Sequence, residues 1–599
     1  MCPMTVAQLS QYLQQLESTS SRLEITSLLA QVFTQLTHEE IKPTCYLLQG
    51  QVLPQYTGVE FQISIKTVTK VLGRFISANE EAAVSLFGDE ASDVGAKEVE
   101  KLYKSVGDLG VVAEQIFSQR QSVGAGKLPL VHVYEKLLEI AQDSGAQSQQ
   151  RKQDKTAELF EQLDPVSAKF VTRILLGRLR LGFSDMTIID ALSWAMCGDK
   201  SERSLLEDAY QRRADIGALA QVYMQQKDLA QRHELLTNHY SIELGAPVVP
   251  ALCQRLNSAA EVIEKMTEVV AEPKYDGLRV QIHFVRGKGG QPSLLKTFTR
   301  NLEDSTAMFP ELESIGEYLQ CDACILDAEA IGYDPTTGNL ISFQQTSQRK
   351  RKHGIAEKAQ EIPVRFYVFD LLHLNGKDLL QQSLRERKDV LKTVFEDNTV
   401  LVHTEEIVTS DPIELQAYHE HALAEGLEGV VMKQTSSSYQ SGRKGWSWVK
   451  MKEAEGQSGK LSDTVDAIIM GYYYGRGKRA GFGLGAFLVG IWDAENEQVL
   501  TIAKIGTGLT EETLTEVKRR CDVLATPEMP EHYRVDNMLK PDVWCSPSQV
   551  VEIAADELTT SPIHTAGQAL RFPRFLRFRD DKSWQQATTV EELKSIQVT

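Results

Sequence analysis

The sequence predicts a multidomain chain in three parts: an all-α segment over residues 1–235, an α+β segment over 236–455 and a small β-barrel over 456–599. Three observations carry this. At 599 residues the chain is too long for one hydrophobic core and implies about three to four domains. In the first part apolar residues recur at helical spacing, as in Leu9, Tyr12, Leu13 and Leu16 and again in Phe170, Ile174 and Leu175. In the last part short apolar runs alternate with glycine-rich turns, the pattern of a small barrel.

Within the first part, Gln142 to Lys155 is polar and reads as an exposed loop. Asp164-Pro165 reads as an N-cap with proline at the first helical position, and Ser184 as the cap of the following helix. Lys169, Arg173, Arg178 and Arg180 stand among apolar residues here; on the bland reading they only solubilise a helical scaffold. Gly245 to Pro250 breaks helical continuity and reads as a linker. Val280 to Phe284 alternates as a half-buried strand, and Val364 to Leu372 is apolar enough for a buried one. Glu453 to Ser462, with Gly456 and Gly459, reads as a second linker. Val465 to Tyr474, Ala486 to Trp492 and Val499 to Lys504 then read as strands.

Hydrophobic content of 42% and charged content of 24% are ordinary for a globular protein. No basic-then-apolar leader and no bilayer-length apolar run is read, so a cytoplasmic protein is expected, nucleoid-associated in a prokaryote or nuclear in a eukaryote. The eight cysteines are scattered; Cys321 and Cys324 form one C-x-x-C without a second pair, which fits a strand end better than a zinc site. A net charge of −18 speaks against nucleic acid at first sight, but a local patch decides a binding face. Basic clusters occur at Arg349 to Lys352, Arg476 to Arg479 and Arg571 to Lys582, each of which alone reads as a solvated face. Gly124-Ala125-Gly126-Lys127 lacks the earlier glycine and the following hydroxyl residue of a phosphate loop, and the glycines from Gly475 lack a strand-loop-helix setting.

The most informative segment is Lys274-Tyr275-Asp276-Gly277-Leu278-Arg279. A lysine amine must be neutral to attack phosphorus, and nearby cations free its lone pair. Gly277 lets backbone approach a nucleotide, and Arg279 offers a fork of donors to phosphate or ribose. Downstream come Ile325-Leu326-Asp327-Ala328-Glu329, Phe366 to Leu371, Glu428-Gly429-Val430-Val431-Met432-Lys433, Trp448 to Lys452, and Arg571-Phe572-Pro573-Arg574-Phe575-Leu576-Arg577. This ordered series resembles the ATP-dependent DNA ligases, of the cellular type found in archaea and eukaryotic nuclei, and the resemblance covers nearly the whole chain.

The resemblance implies a set of roles. Lys274 is the nucleophile that takes AMP from ATP. Glu272 meets adenine, Phe369 stacks on it, and Arg279 and Arg300 hold ribose and phosphate. Glu329 and Glu428 are the carboxylates linked to Mg2+, Glu329 also being placed at the ribose. Lys450 and Lys452 contact phosphate; Lys444 stands where many relatives have arginine, and it shares a phosphate role with Arg443 only loosely. Phe343 and Phe487 match aromatics pressed into the minor groove beside a nick, although two core phenylalanines are an equal reading. The helical part is implied to be a DNA-binding domain using Arg173, Arg178 and Arg180, and the last part an OB-fold. The implied partner is nicked double-stranded DNA, with the chain a monomer and a sliding clamp as a further partner, although no clamp peptide stands out. An mRNA guanylyltransferase or RNA ligase shares the lysine chemistry but lacks a large helical domain before the lysine. An NAD-dependent ligase places the lysine near its N-terminus and carries a zinc module, and a non-catalytic scaffold has no need of the acids and lysines.

Overall fold

A computed structural model describes residues 3–19, 21–77, 88–120, 127–177, 179, 181–341, 343–346, 349, 361–442, 445–452, 464–475, 479, 482–506, 509–555 and 557–596. The chain divides into two compact units, residues 1–99 with 110–452 and residues 100–109 with 453–599.

Helices succeed one another from Val6 to Glu234. Their ends follow the capping chemistry of the sequence. Asp164 accepts from the Val166 and Ser167 amides at 3.1 Å each, with Pro165 in the first turn, and Ser184 shares a capping box with Thr187. The polar stretch read as a loop is instead largely helical, Ser148–Phe160. Its buried stripe is Lys152, Thr156, Leu159 and Phe160, helical spacing carried at two positions by polar residues. Lys152 donates from Nζ to the Phe61 carbonyl at 2.7 Å, and Thr156 to its own helix at 2.6 Å, so both polar groups are satisfied inside. The helix Pro165–Leu175 is buried from Ser167 onward.

Residues 250–452 build two sheets. The first has the order β1-β11-β10-β2-β9, with β1 (Gln254–Arg255), β2 (Val269–Pro273), β9 (Ile407–Thr409), β10 (Gly429–Gln434) and β11 (Trp448–Lys452). The second has the order β4-β3-β5-β6-β7, with β8 beside β6. Its strands are β3 (Leu278–Arg286), β4 (Pro292–Thr299), β5 (Ala323–Gly332), β6 (Val364–Leu374), β7 (Lys377–Asp378) and β8 (Leu401–His403). Period-two alternation sorts their side chains. Val269, Ala271, Val430, Met432, Val449 and Met451 make the core behind the first sheet. Val280, Ile282, Phe284, Leu326, Ala328 and Val368 belong to the core behind the second, which also takes in Cys321 and Cys324.

The other face of β3 departs from the half-buried reading: Gln281 is 4% and His283 0% exposed. The irregular segment between the helices and the sheets covers them. Gly245 N–H donates to His283 Nδ1 at 3.1 Å, and Val248 exchanges two hydrogen bonds with the Gln281 amide at 2.8 and 3.1 Å. Arg279 donates to the Ala251 carbonyl at 2.5 Å. Three alternate residues of one strand thus hold three points of the connection.

The second unit is a bulged, mostly antiparallel sheet with apolar residues on both faces. Its strands are β12 (Val465–Tyr473), β13 (Ala486–Asp493), β14 (Gln498–Ile505), β15 (Ala525–Thr526), β16 (Tyr533–Arg534), β17 (Val543–Cys545) and β18 (Val550–Ala554). A hairpin of β19 (Glu557–Thr560) and β20 (Gln568–Arg571) precedes β21 (Arg574–Phe578). The order is β15-β17-β12-β13-β14-β16, with β16 parallel to β14 and β18 joining β12 to β21. The second linker, 453–462, lies outside the described residues.

Candidate active site

Lys274 follows β2 directly, and backbone bonds fix it there. Its amide donates to the Gly429 carbonyl at 2.9 Å, and the Glu428 amide donates to the Lys274 carbonyl at 3.3 Å. In register, Glu272 faces Val431 and Val431 faces Lys450, while Gly429 faces Lys452. Spacing of two along each strand therefore puts Glu272, Lys274, Val431, Lys433, Lys450 and Lys452 on the face opposite the core. Glu428, just before β10, closes the group: its Oε2 lies 2.5 Å from Lys274 Nζ and 2.8 Å from Lys452 Nζ. Burial raises the Glu428 carboxyl, but the two ammoniums prevail and bring it down to about 2.

The second sheet supplies the opposing wall. Arg279, Glu329 and Tyr367 are in register across β3, β5 and β6. The register of β5 and β6 slips between Asp327 and Ala328, so Phe369 is the extra residue of a bulge. Its ring meets Trp448 edge-on at 6.0 Å, with Lys433 Nζ 4.2 Å from its centre. Arg279 is already committed: Nε and Nη2 bond Asp327 at 3.0 and 2.6 Å, and Nη2 also reaches the Tyr439 hydroxyl at 3.2 Å. Glu329 differs from the other acids. Burial pushes its carboxyl up to about 7 despite the Lys274 and Arg279 charges, and among the described residues it has no salt bridge. Arg300 is exposed on a cleft that it shares with Val248, Arg279, Phe298 and Asp327.

Gly277 has a structural reason distinct from nucleotide approach. A Cβ there would lie 2.7 Å from the Ala330 carbonyl oxygen and 2.8 Å from Glu329 Cγ. The turn must press onto β5 to bring Lys274 and Glu329 to one place.

Two residues expected at DNA are buried in this structure. Arg173 is 6% exposed and pairs with Glu17 at 2.8 Å, because its helix is enclosed on all sides. Phe487 is 0% exposed and packs in the core of the second unit, 6.3 Å from the Phe575 ring. Arg178, Arg180, Arg443 and Lys444 lie outside the described residues, as does the Phe343 side chain. Much of the basic tail is paired within its own unit: Arg577 with Glu552 at 2.6 Å, and Arg579 and Lys582 with Asp466 at 2.9 and 2.6 Å.

The structure adds residues that sequence reasoning passed over. Asp327 and Tyr439 orient Arg279, and Lys388 and Lys433 hold Glu272. Asp327 and Lys433 belong to the acidic and lysine motifs of β5 and β10; Lys388 carried no signal beyond helical spacing. Phe572 is 61% exposed at a left-handed φ of 51°, a costly conformation for a bulky residue, with the Arg571 guanidinium 5.1 Å from its ring.

Fold and cleft together fit one class, the nucleotidyltransferases. Comparison with known proteins places the chain within it. Family models match as DNA ligase N terminus over residues 5–193, ATP dependent DNA ligase domain over 250–452 and ATP dependent DNA ligase C terminal region over 480–582. A probable DNA ligase of Dictyoglomus turgidum is 38% identical, over 98% of this chain and 97% of its own length. DNA ligase 2 of Thermofilum pendens is 36% identical, over 98% of this chain and 96% of its own. A solved structure described as Pmar-Lig_PreS3 aligns with 95% of this chain and 99% of its own at a TM-score of 0.52 and 17% identity, a likeness of fold alone. The chain belongs to the ATP-dependent DNA ligase family.

Proposed function

We propose that the protein seals nicks in double-stranded DNA by three in-line displacements at phosphorus, with Lys274 as the nucleophile. The observation that carries this is the Lys274–Glu428–Lys452 cluster in the cleft, held by the backbone bonds of Lys274 to Gly429 and Glu428. In the first transfer the Lys274 amine attacks the α-phosphate of ATP; a P–N bond forms and the bond to pyrophosphate breaks. The amine must lose its proton before it attacks; Glu428, 2.5 Å away, orients the ammonium, and the proton leaves to solvent, since a carboxyl brought down to about 2 is too weak a base to keep it. In the second, the 5′-phosphate of the nick displaces the lysine and takes AMP. In the third, the 3′-hydroxyl attacks that phosphate and AMP leaves. These steps rest on positioning and charge neutralisation, which the cations around Lys274 provide.

Glu272 and Phe369 take the base, Arg279 and Arg300 the ribose and phosphates, and Lys450 and Lys452 the phosphates; Lys444 is assigned the same part. Arg279 acts through its fixed plane and charge, since Asp327 holds two of its nitrogens. Magnesium fits the residues present, because Glu329 is a desolvated carboxylate without a salt bridge among the described residues, on the same cleft as the Glu428 carboxylate. Glu329 and Glu428 would hold it, and it would neutralise phosphate oxygens. The helical part is proposed as the DNA-binding domain through Arg178 and Arg180, and the second unit as the OB-fold. There exposed Phe572 takes the minor-groove part first given to Phe487, beside a similar part for Phe343. The activity fits replication, repair and recombination, where nicks arise.

Incubation with ATP labelled at the α-phosphate should give a labelled protein band on a denaturing gel. Lys274→Ala should abolish it while the fold survives. Labelling that persists in the variant, or that requires GTP or NAD, overturns the reading.

A further inference from the structure

Four alternating charges run through the floor of the cleft. Lys388 Nζ lies 2.6 Å from Glu406 Oε2 and also pairs with Glu272 Oε1; Lys433 Nζ lies 2.5 Å from Glu272 Oε2. Glu272, Lys388 and Lys433 are buried, and Glu406 sits at the edge. Each oxygen of Glu272 therefore holds one ammonium. A carboxylate oxygen accepts in two directions, so each keeps one acceptor direction. With an ammonium on each oxygen, what the carboxylate has left to offer a ligand is acceptor directions.

The helix that carries Lys388, Leu384–Leu391, is itself anchored. Arg387, the preceding residue, clamps Asp370 of β6 with bonds of 2.8 and 3.0 Å. Asp370 follows Phe369, so one helical turn ties the residue for the face of the base to the residue for its edge. An edge group that only accepts welcomes an amine and repels a carbonyl. Adenine carries an exocyclic amine where guanine carries a carbonyl.

We propose that Lys388 is a positioning residue that sets nucleotide choice: by pinning Oε1 of Glu272 it fixes which acceptor directions of that carboxylate face the base, selecting a 6-aminopurine triphosphate over a 6-oxopurine one. This rests on the reading that Glu272 meets the base.

The test is the ratio of kcat/KM for self-labelling by ATP over that by GTP, with each nucleotide labelled at the α-phosphate and the full chain used throughout. Lys388→Met should lower the ratio by about tenfold or more, mostly through a raised KM for ATP. Glu272→Gln, whose amide can present either a donor or an acceptor, should lower it as well. Lys392→Met is the control, since Lys392 is exposed and pairs with Glu406 at 3.2 Å; its ratio should match that of the natural protein. If Lys388→Met does not fold, Lys388→Met/Glu406→Gln removes both charges and leaves Glu272 paired with Lys433; it is judged on the same ratio. A folded Lys388 variant with the natural ratio, beside a Glu272→Gln that has lost it, overturns the role of Lys388. An unchanged ratio in both overturns the base contact of Glu272 instead.

Discussion

Single residues fix where Lys274 stands in the cleft. Gly429 holds φ at 129°, and a Cβ there would sit 2.2 Å from the Met451 carbonyl oxygen. Its own carbonyl receives the Lys274 amide, so a shift of the strand moves Lys274. Gly429→Ala should destabilise the protein by about 1–3 kcal/mol from strain and slow self-labelling about a hundredfold through misplacement. Thermal unfolding and single-turnover labelling at saturating ATP check the two effects, and an unimpaired rate would dissociate Gly429 from the positioning of Lys274. His283 makes a second prediction. Burial pushes its imidazole down from 6.5 to about 3, and Nδ1 is an acceptor for Gly245 N–H. The unfolded chain binds this proton near pH 6.5 and the folded one does not. Its contribution is therefore present above that pH and lost as pH falls toward 3. The slope is about 1.4 kcal/mol per pH unit within that window. Denaturant unfolding at pH 7 and at pH 5 should show a smaller loss in His283→Gln than in the natural protein.

At the scale of elements, alternation and caps were legible in the sequence, and covering was not. Val280, Ile282 and Phe284 announce a strand with one apolar face, and the structure has that face in the core. The polar face is buried too, because a segment 33 to 38 residues earlier in sequence lies on it, and alternation within a strand carries no trace of that. The helix Ser148–Phe160 escaped for the converse reason: its inward stripe includes Lys152 and Thr156, whose polar atoms find carbonyls inside. Phe487 and Phe572 show the same limit at the site. Both are phenylalanines near glycine or proline in β-rich sequence, and only the fold places one in a core and the other outside. The motif residues of β2, β10 and β11 converge because spacing of two is sufficient to aim them; Lys388 comes from a helix whose approach the sequence does not encode locally. That helix yields its own prediction. Arg387 and Asp370 are both fully buried and bonded twice. Arg387→Met leaves an uncompensated buried carboxylate and should cost about 3–5 kcal/mol, whereas Arg387→Met/Asp370→Asn should recover much of it. Unfolding of the three proteins side by side measures the difference, and additive losses would deny the pair its coupling.

For the whole molecule the tension lies between a net charge of −18 and a polyanionic substrate. Net charge acts at long range and is screened within about 10 Å at ordinary ionic strength, so contacts at the binding face govern affinity. Many cations of this chain are spent inward, Arg173 on Glu17, Arg279 on Asp327, and Arg579 and Lys582 on Asp466. Exposed Arg574 and Phe572 are proposed to meet the nick, and each should leave a distinct signature. Every phosphate neutralised by a cation adds about one to the slope of log affinity against log salt, so about six contacts imply about a thousandfold loss from about 50 to about 200 mM salt. Affinity for a nicked duplex should accordingly fall steeply with salt despite the acidic composition. Arg574→Ala should lower that slope by about one. Phe572→Ala removes an apolar wedge and no charge, so it should slow the sealing of a pre-adenylated nick while leaving the slope unchanged. Fluorescence anisotropy on a labelled nick across a salt series gives the slopes, and gel-resolved sealing gives the rates. A Phe572→Ala protein that seals at the natural rate would take the wedge away from this turn, and an Arg574→Ala protein with the natural slope would take the phosphate contact away from it.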